Sequence, residues 1–423
     1  MVYAQGGFMA NGLAGWIQEN GHPIDTLGLE ASPDDLAPLA GIVGSARVVG
    51  LGESSHHVRE FYQARHRMLR FLVERCGFTV LALEAPYAGG HLLDDWLGGG
   101  SGDVKDLASA AIALGLGDVP ELHDALRWLR TYNRRDHGAP VRYAGADLPG
   151  CLGSPLPALD AVAAYVEAHD PDAVPVLARA RELTGRFHDP APMKVLFGYP
   201  SVAQAERDAL TAALAELIAR TQRMAPRQRA RGRGAEHAEA AHLLRGAWLL
   251  DQLHRSMAVE GIEIASTFRD VYLAESVLHL LERDPGARIV LVAHNWHLKK
   301  LPEPFGAGEL LPAGYHLAAE LGTDYRAIGV TSRGGRTAVA SGDLTGFPFR
   351  EAALPPPEDT AIESAFPASA TWTLADLRAA SGVEDAGKYT RMRMADYFCD
   401  QPAFDCFDAL ACVTETSGTA HTR

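Results

Sequence analysis

Four short apolar runs in this chain each hand over to residues that can move a proton. Arg47-Val-Val-Gly-Leu-Gly52 is followed by Glu53-Ser54-Ser55-His56-His57, and Phe78-Thr-Val-Leu-Ala-Leu83 by Glu84. Val141-Arg-Tyr-Ala-Gly-Ala146 is followed by Asp147, and Arg288-Ile-Val-Leu-Val-Ala293 by His294-Asn295-Trp296-His297. Imidazole has an unperturbed pKa of ~6.5, so a His whose tautomer is fixed by a carboxylate can take a proton from water at neutral pH. His with Glu is thus the composition of a general-base site. The same groups are metal ligands: His56, His294, His297, Glu53 and Glu84 hold enough nitrogen and oxygen for zinc or manganese. That alternative stays open beside the reading we expect, a site with no metal and no cofactor.

Other chemistries lack their motifs. No Gly-x-Ser-x-Gly elbow, no His-Glu-x-x-His helix and no Gly-x-Gly-x-x-Gly after a strand occurs. Gly382 to Lys388 resembles a phosphate loop, but Tyr389 stands where Ser or Thr is required and no strand precedes it.

The elements that would position these groups follow from periodicity. The four runs read as buried strands, and Val58 to Cys76 carries apolar residues at helical spacing, with Gly77 as its C-cap. Strand, helix and strand at this spacing make a parallel βαβ unit. In parallel sheets the C-terminal strand ends share one rim, where ligands bind. Charge gathered there is costly to bury without a purpose. Further strands are expected at 327–330, 337–340 and 407–413, and a helix at 268–283. Helical periods at 158–168, 203–220 and 237–254 suggest a helical insert, while 341–385, rich in Pro, reads as a long loop. The expectation is an α/β fold: a three-layer, mostly parallel sheet flanked by helices. Residues 1–155 and 261–423 form its core, and a helical cap at 156–260 forms part of the cleft.

Composition narrows the partners. With 39 Lys and Arg against 53 Asp and Glu, the net charge of −14 disfavours nucleic acid and anionic membranes. Arg220 to Arg233 is a basic run read as a solvated inter-helix loop. No apolar run approaches the ~20 residues of a membrane span, and the first seven residues lack a signal-peptide pattern. The five cysteines include no Cys-x-x-Cys, and Cys76 and Cys412 lie in apolar runs. The expectation is a cytoplasmic protein with a small-molecule partner.

At these residues the sequence resembles the erythromycin esterase family. Gly52-Glu53-Ser54-Ser55-His56 with Arg65, Leu83-Glu84-Ala85, Arg269-Asp270 with Ala274-Glu275, and Ala293-His294-Asn295-Trp296-His297 match its motifs in order. The resemblance implies a hydrolase that opens a macrolide lactone with water and no covalent intermediate. It assigns His56 as general base, Glu53 and Glu84 as its orienting carboxylates, and His294 and His297 to the substrate carbonyl or oxyanion. Arg65 would add positive charge there. Two departures bear on the substrate: His57 stands where the family commonly has Gly, and Pro86-Tyr87 replaces a Trp-containing turn. His57, Tyr87, Asp147 and Trp296 are therefore the candidate substrate contacts, although Asp147 also suits a turn cap and the aromatics a core. A tailoring enzyme acting on a natural-product intermediate, or a non-catalytic drug binder, are the alternatives.

Overall fold

The computed structural model describes residues 12–135, 139–306, 308–340 and 349–420. The N-terminal stretch read above and residues 341–348 lie outside them.

The central sheet starts with β1 (His22–Ile24), β2 (Val48–Leu51), β3 (Val80–Pro86), β4 (Arg142–Asp147) and β5 (Ile289–Val292). A hairpin of β6 (Glu303–Phe305) and β7 (Gly308–Leu310) follows, then β8 (Tyr325–Ala340), β9 (Phe349–Ala353) and β10 (Trp372–Asp376). A second hairpin, β11 (Arg391–Met394) with β12 (Tyr397–Asp400), precedes β13 (Ala409–Thr416). The sheet order is β1-β10-β13-β8-β2-β5-β3-β4, with β9 added to the end of β8. From β13 to β4 every neighbouring pair is parallel, whereas β10 runs antiparallel to β13 and β1.

Alternation in the strands sorts their side chains between two helical layers. Val49, Leu51, Leu81, Leu83 and Val290 face one layer, and Val48, Val80, Ala82, Ile289 and Leu291 the other. Phe61, Met68 and Leu72 of the helix Arg59–Cys76 cover the first face. That helix ends at Gly77, whose left-handed φ of 71° lets its amide close on the Leu72 carbonyl. Leu273, Val277 and Leu281 of the helix Ile262–Arg283 cover the second face. The helices between Leu156 and Met257 build a third apolar cluster, joined to the rest through Tyr87, Leu148 and Tyr272.

Three expectations need correcting. The strands foreseen at 327–330 and 337–340 are one strand, β8, which continues through Gly334-Gly335. A Cβ on Gly335 would come within 2.3 Å of the Thr416 backbone, so the glycines keep the long β8–β13 ladder close rather than ending it. The segment 341–385 is not an unstructured loop: it supplies β9 and β10, and Trp372 and Leu374 of β10 are fully buried. Its prolines cluster before β10, where they hid the strand. The basic run is not an inter-helix loop for most of its length: Arg220, Arg223, Arg227 and Arg229 lie on the helix Gln204–Ala230, and Arg220 pairs with Asp170 at 2.8 Å.

Candidate active site

β2, β5, β3 and β4 are consecutive in the sheet, so their polar C-terminal ends form one row. Leaving β2, the chain passes Gly52, where a Cβ would stand 1.9 Å from the Asn295 Oδ1. Only glycine fits there. Asn295 donates from Nδ2 to the Val330 carbonyl at 2.9 Å and accepts from its amide at 3.2 Å. Its own amide donates to the Glu53 carbonyl at 2.8 Å. Through its side chain this buried residue ties the turn after β5 to β8, and through its backbone amide to the turn after β2, which sets where the flanking histidines lie.

At the β2 end, Glu53 is buried and engages an imidazole and a guanidinium. Its Oε1 lies 2.7 Å from His56 Nδ1 and its Oε2 2.6 Å from Arg65 Nη2. Arg65 projects from the helix Arg59–Cys76, stacked 4.5 Å over the Tyr62 ring. Burial works to raise the Glu53 carboxyl, but Arg65 and His56 outweigh it and hold the group below the usual carboxylate range. A carboxylate can only accept, so His56 donates from Nδ1 and keeps its lone pair on Nε2. Burial pulls the His56 imidazole down, yet the Glu53 bond and charge raise it above its ordinary value. The side chain is still 28% exposed, enough for water to reach the ring.

At the β5 end, His294 has the opposite tautomer. Its Nδ1 accepts from the Trp296 amide at 3.1 Å, capping the short helix Asn295–Leu298 and leaving the proton on Nε2. Burial and the neighbouring His56 push it down to about 4, so it stays neutral. The His56 and His294 rings meet edge to face with centroids 5.2 Å apart. An imidazole with an open acceptor nitrogen and one with an open N–H thus stand side by side.

Behind them, the ends of β3 and β4 converge on Arg269. Its Nη2 donates to Glu84 Oε1 at 2.6 Å and its Nε to Asp147 Oδ2 at 2.7 Å, while Nη1 reaches His297 Nε2 at 3.2 Å. Glu84 Oε2 accepts from the His294 amide at 2.7 Å. Asp270 Oδ1 accepts from His297 Nδ1 at 2.7 Å and from the Ala313 amide at 2.9 Å. Burial opposes the ionised Glu84, but His297 and Arg269 hold its carboxyl far below the usual range. Burial also pulls His297 down, and Asp270 and Glu84 together raise it. The positions a metal would take between these carboxylates hold guanidinium groups, and no three His, Cys, Asp or Glu among the described residues form a metal-binding group.

The structure therefore gathers Glu53, His56, Arg65, Glu84, Asp147, His294 and His297. Arg65 is committed to Glu53, and Asp147 to Arg269 and the Leu148 amide. The other three candidates lie apart. His57 is turned into the protein at a left-handed φ of 57°, its ring 4.1 Å from that of Phe349. Tyr87 donates to Glu239 at 3.0 Å and stands edge-on to His242, in the seam with the helical insert. Trp296, partly exposed, lies under the Lys299 ammonium at 3.7 Å. Arg269 and Asp270 are the site residues that sequence reasoning left unassigned. The available signal was the Arg269-Asp270 motif of the family resemblance, and both side chains enter the site from one turn of the helix Ile262–Arg283.

Two spaces meet at His56. An inner slot, bounded by Glu53, Tyr62, Arg65, Leu69 and Leu122, runs between the helices Arg59–Cys76 and Pro120–Asn133. An outer groove is bounded by His294, Ala338, Val339, Phe349 and Asp396. The insert, expected as a cleft wall, gives no residue to either; β8, β9 and the β11–β12 turn take that place.

The sequence profile described as erythromycin esterase matches residues 73–416. Erythromycin esterase type II of Escherichia coli is 28% identical over 359 residues, covering 83% of this chain and 85% of that protein. Erythromycin esterase type I of the same organism is 26% identical over 393 residues, covering 89% and 92%. Among solved structures, a mutant of the erythromycin esterase EreC in its open conformation superposes with a TM-score of 0.79 at 24% identity, over 95% of this chain and 99% of that one. A Bacillus cereus protein gives 0.80 at 22% identity, over 97% and 98%. These two share the fold. With the profile spanning most of its length, the chain belongs to the erythromycin esterase family and is an ester hydrolase.

Proposed function

We propose that this protein opens a macrolide lactone, or a similarly bulky natural-product ester, by general-base addition of water without a covalent intermediate. The observation that carries the reading is the His56–Glu53 bond of 2.7 Å, which leaves a basic Nε2 on a ring that water can reach. His56 takes a proton from water as the oxygen attacks the ester carbonyl. The His294 Nε2–H donates to the oxyanion that forms. Collapse expels the alkoxide, which recovers the proton from His56 and yields acid and alcohol. The buried Arg269 cluster holds His297 and the β5 turn in register, so its part is positioning. The substrate class comes from the relatives named erythromycin esterases. All five cysteines are free thiols, which supports a reducing compartment, and we place the protein in the cytosol. Among the described residues no helix is long and apolar enough to cross a membrane.

The test is mass spectrometry of erythromycin incubated with wild type and with His56→Ala. The expected result is gain of one water with wild type alone. An unchanged drug with both would transfer the chemistry to another ester, such as a biosynthetic intermediate, and equal turnover by both would remove His56 from the mechanism.

A further inference from the structure

His66 lies one residue beyond Arg65 and lines the inner slot, yet the site described above does not use it. It is only 4% exposed, and neither ring nitrogen has a hydrogen-bond partner in the protein. Burial, with Arg70 adding to it, pushes the imidazole down to about 4, so the ring is neutral and offers one donor and one acceptor. Glu121 lines the same slot, and its Oε2 is likewise buried without a partner, while its Oε1 is 3.4 Å from Arg59 Nε. Arg59 faces Glu121, and seven residues further along both helices His66 meets Trp128 with ring centroids 5.8 Å apart. The two helices therefore run side by side, with Glu121 at the His56 end of the slot and His66 deeper. Between these polar points the walls are apolar, among them Leu69, Leu81, Leu122 and Ala125.

A buried donor or acceptor without a partner destabilises the protein that carries it, and native chains rarely keep one without use. The slot and the outer groove both border His56. From this we infer that the ester lies across His56 between the two spaces, with an aliphatic arm in the slot, where His66 hydrogen-bonds a hydroxyl on that arm. His66 is then a specificity-determining residue, and Glu121 accepts from a polar group nearer the mouth. The inference rests on the hydrolytic reading of His56 proposed above.

Two experiments test it, and one needs no turnover. 1-Butanol, a short chain with one hydroxyl, is titrated into protein labelled with ¹⁵N-histidine. Saturable shifts of the His66 ring nitrogens are expected in wild type and none in Ala125→Phe, which fills the slot. In parallel, His66→Leu should raise Tm by about 1–3 °C, because an unpartnered polar group is removed. The same change should lower kcat/KM for the hydrolysed ester about 10-fold or more, chiefly through KM. Butanol without effect on His66 overturns the proposal. So does His66→Leu with a lowered Tm and unchanged kinetics, the signature of a purely structural histidine. If erythromycin is not hydrolysed while butanol still reports at His66, the slot stands and the macrolide reading falls.

Discussion

The row of strand ends contains two ionic clusters built from the same residue types and put to different uses. Around Glu53, the histidine has one nitrogen bound and one left over, and its side chain is 28% exposed. Around Arg269, the histidine has both nitrogens engaged, and His297 is 9% exposed in its side chain. The first cluster keeps a lone pair for chemistry. The second spends both imidazole nitrogens and both oxygens of Glu84 and Asp147 on bonds that hold the ends of β3, β4 and β5 together. On the proposed mechanism, a carboxylate beside an imidazole serves proton transfer where the second nitrogen remains open, as at His56, and positioning where it does not, as at His297.

Substitutions should separate the two. His56→Ala is expected to reduce kcat/KM by about 10⁴-fold, the upper range for loss of a general base, while its urea midpoint stays close to wild type. Next is Arg269→Met, which leaves Glu84 and Asp147 facing each other without their cation. Urea denaturation should show a loss of about 3–5 kcal/mol, against the small change for His56. Equal stability losses for both variants would dissolve the distinction. Glu53→Gln removes the charge that stabilises protonated His56, and about 10²-fold should be lost in kcat/KM. The smallest of these effects is Gly52→Ala, where the added methyl displaces the Asn295 amide: Tm should fall by a few degrees, with a matching loss of activity.

Much of this was legible in sequence. The apolar runs gave the four strands, and the residues after them gave the histidines and carboxylates of the site. Sequence did not show that β5, more than two hundred residues after β2, inserts between β2 and β3, because a buried parallel strand carries no mark of its neighbours. That insertion is what brings His294 against His56. Arg269 stood in a family motif but without a role, for a related reason: an Arg inside a helical period looks like surface until the carboxylates it meets come from distant strands. His57 and Tyr87 show the converse. Both stand beside candidate site residues in sequence, but the left-handed turn at His57 and the seam with the insert at Tyr87 direct them elsewhere. The strand β10 was missed because prolines in the flanking chain outweighed a five-residue apolar signal.

The central claim is that His56 is the base and that Glu53 tunes it. The pH dependence of kcat/KM for wild type and Glu53→Gln tests this most directly. The base must be neutral to work, so activity falls as pH drops through its pKa. Because Glu53 raises the His56 pKa above its ordinary ~6.5, the acid limb of wild type should lie above that value. In Glu53→Gln the limb should move to lower pH, with a reduced plateau. A limb that stays in place when the carboxylate is neutralised would contradict the assignment.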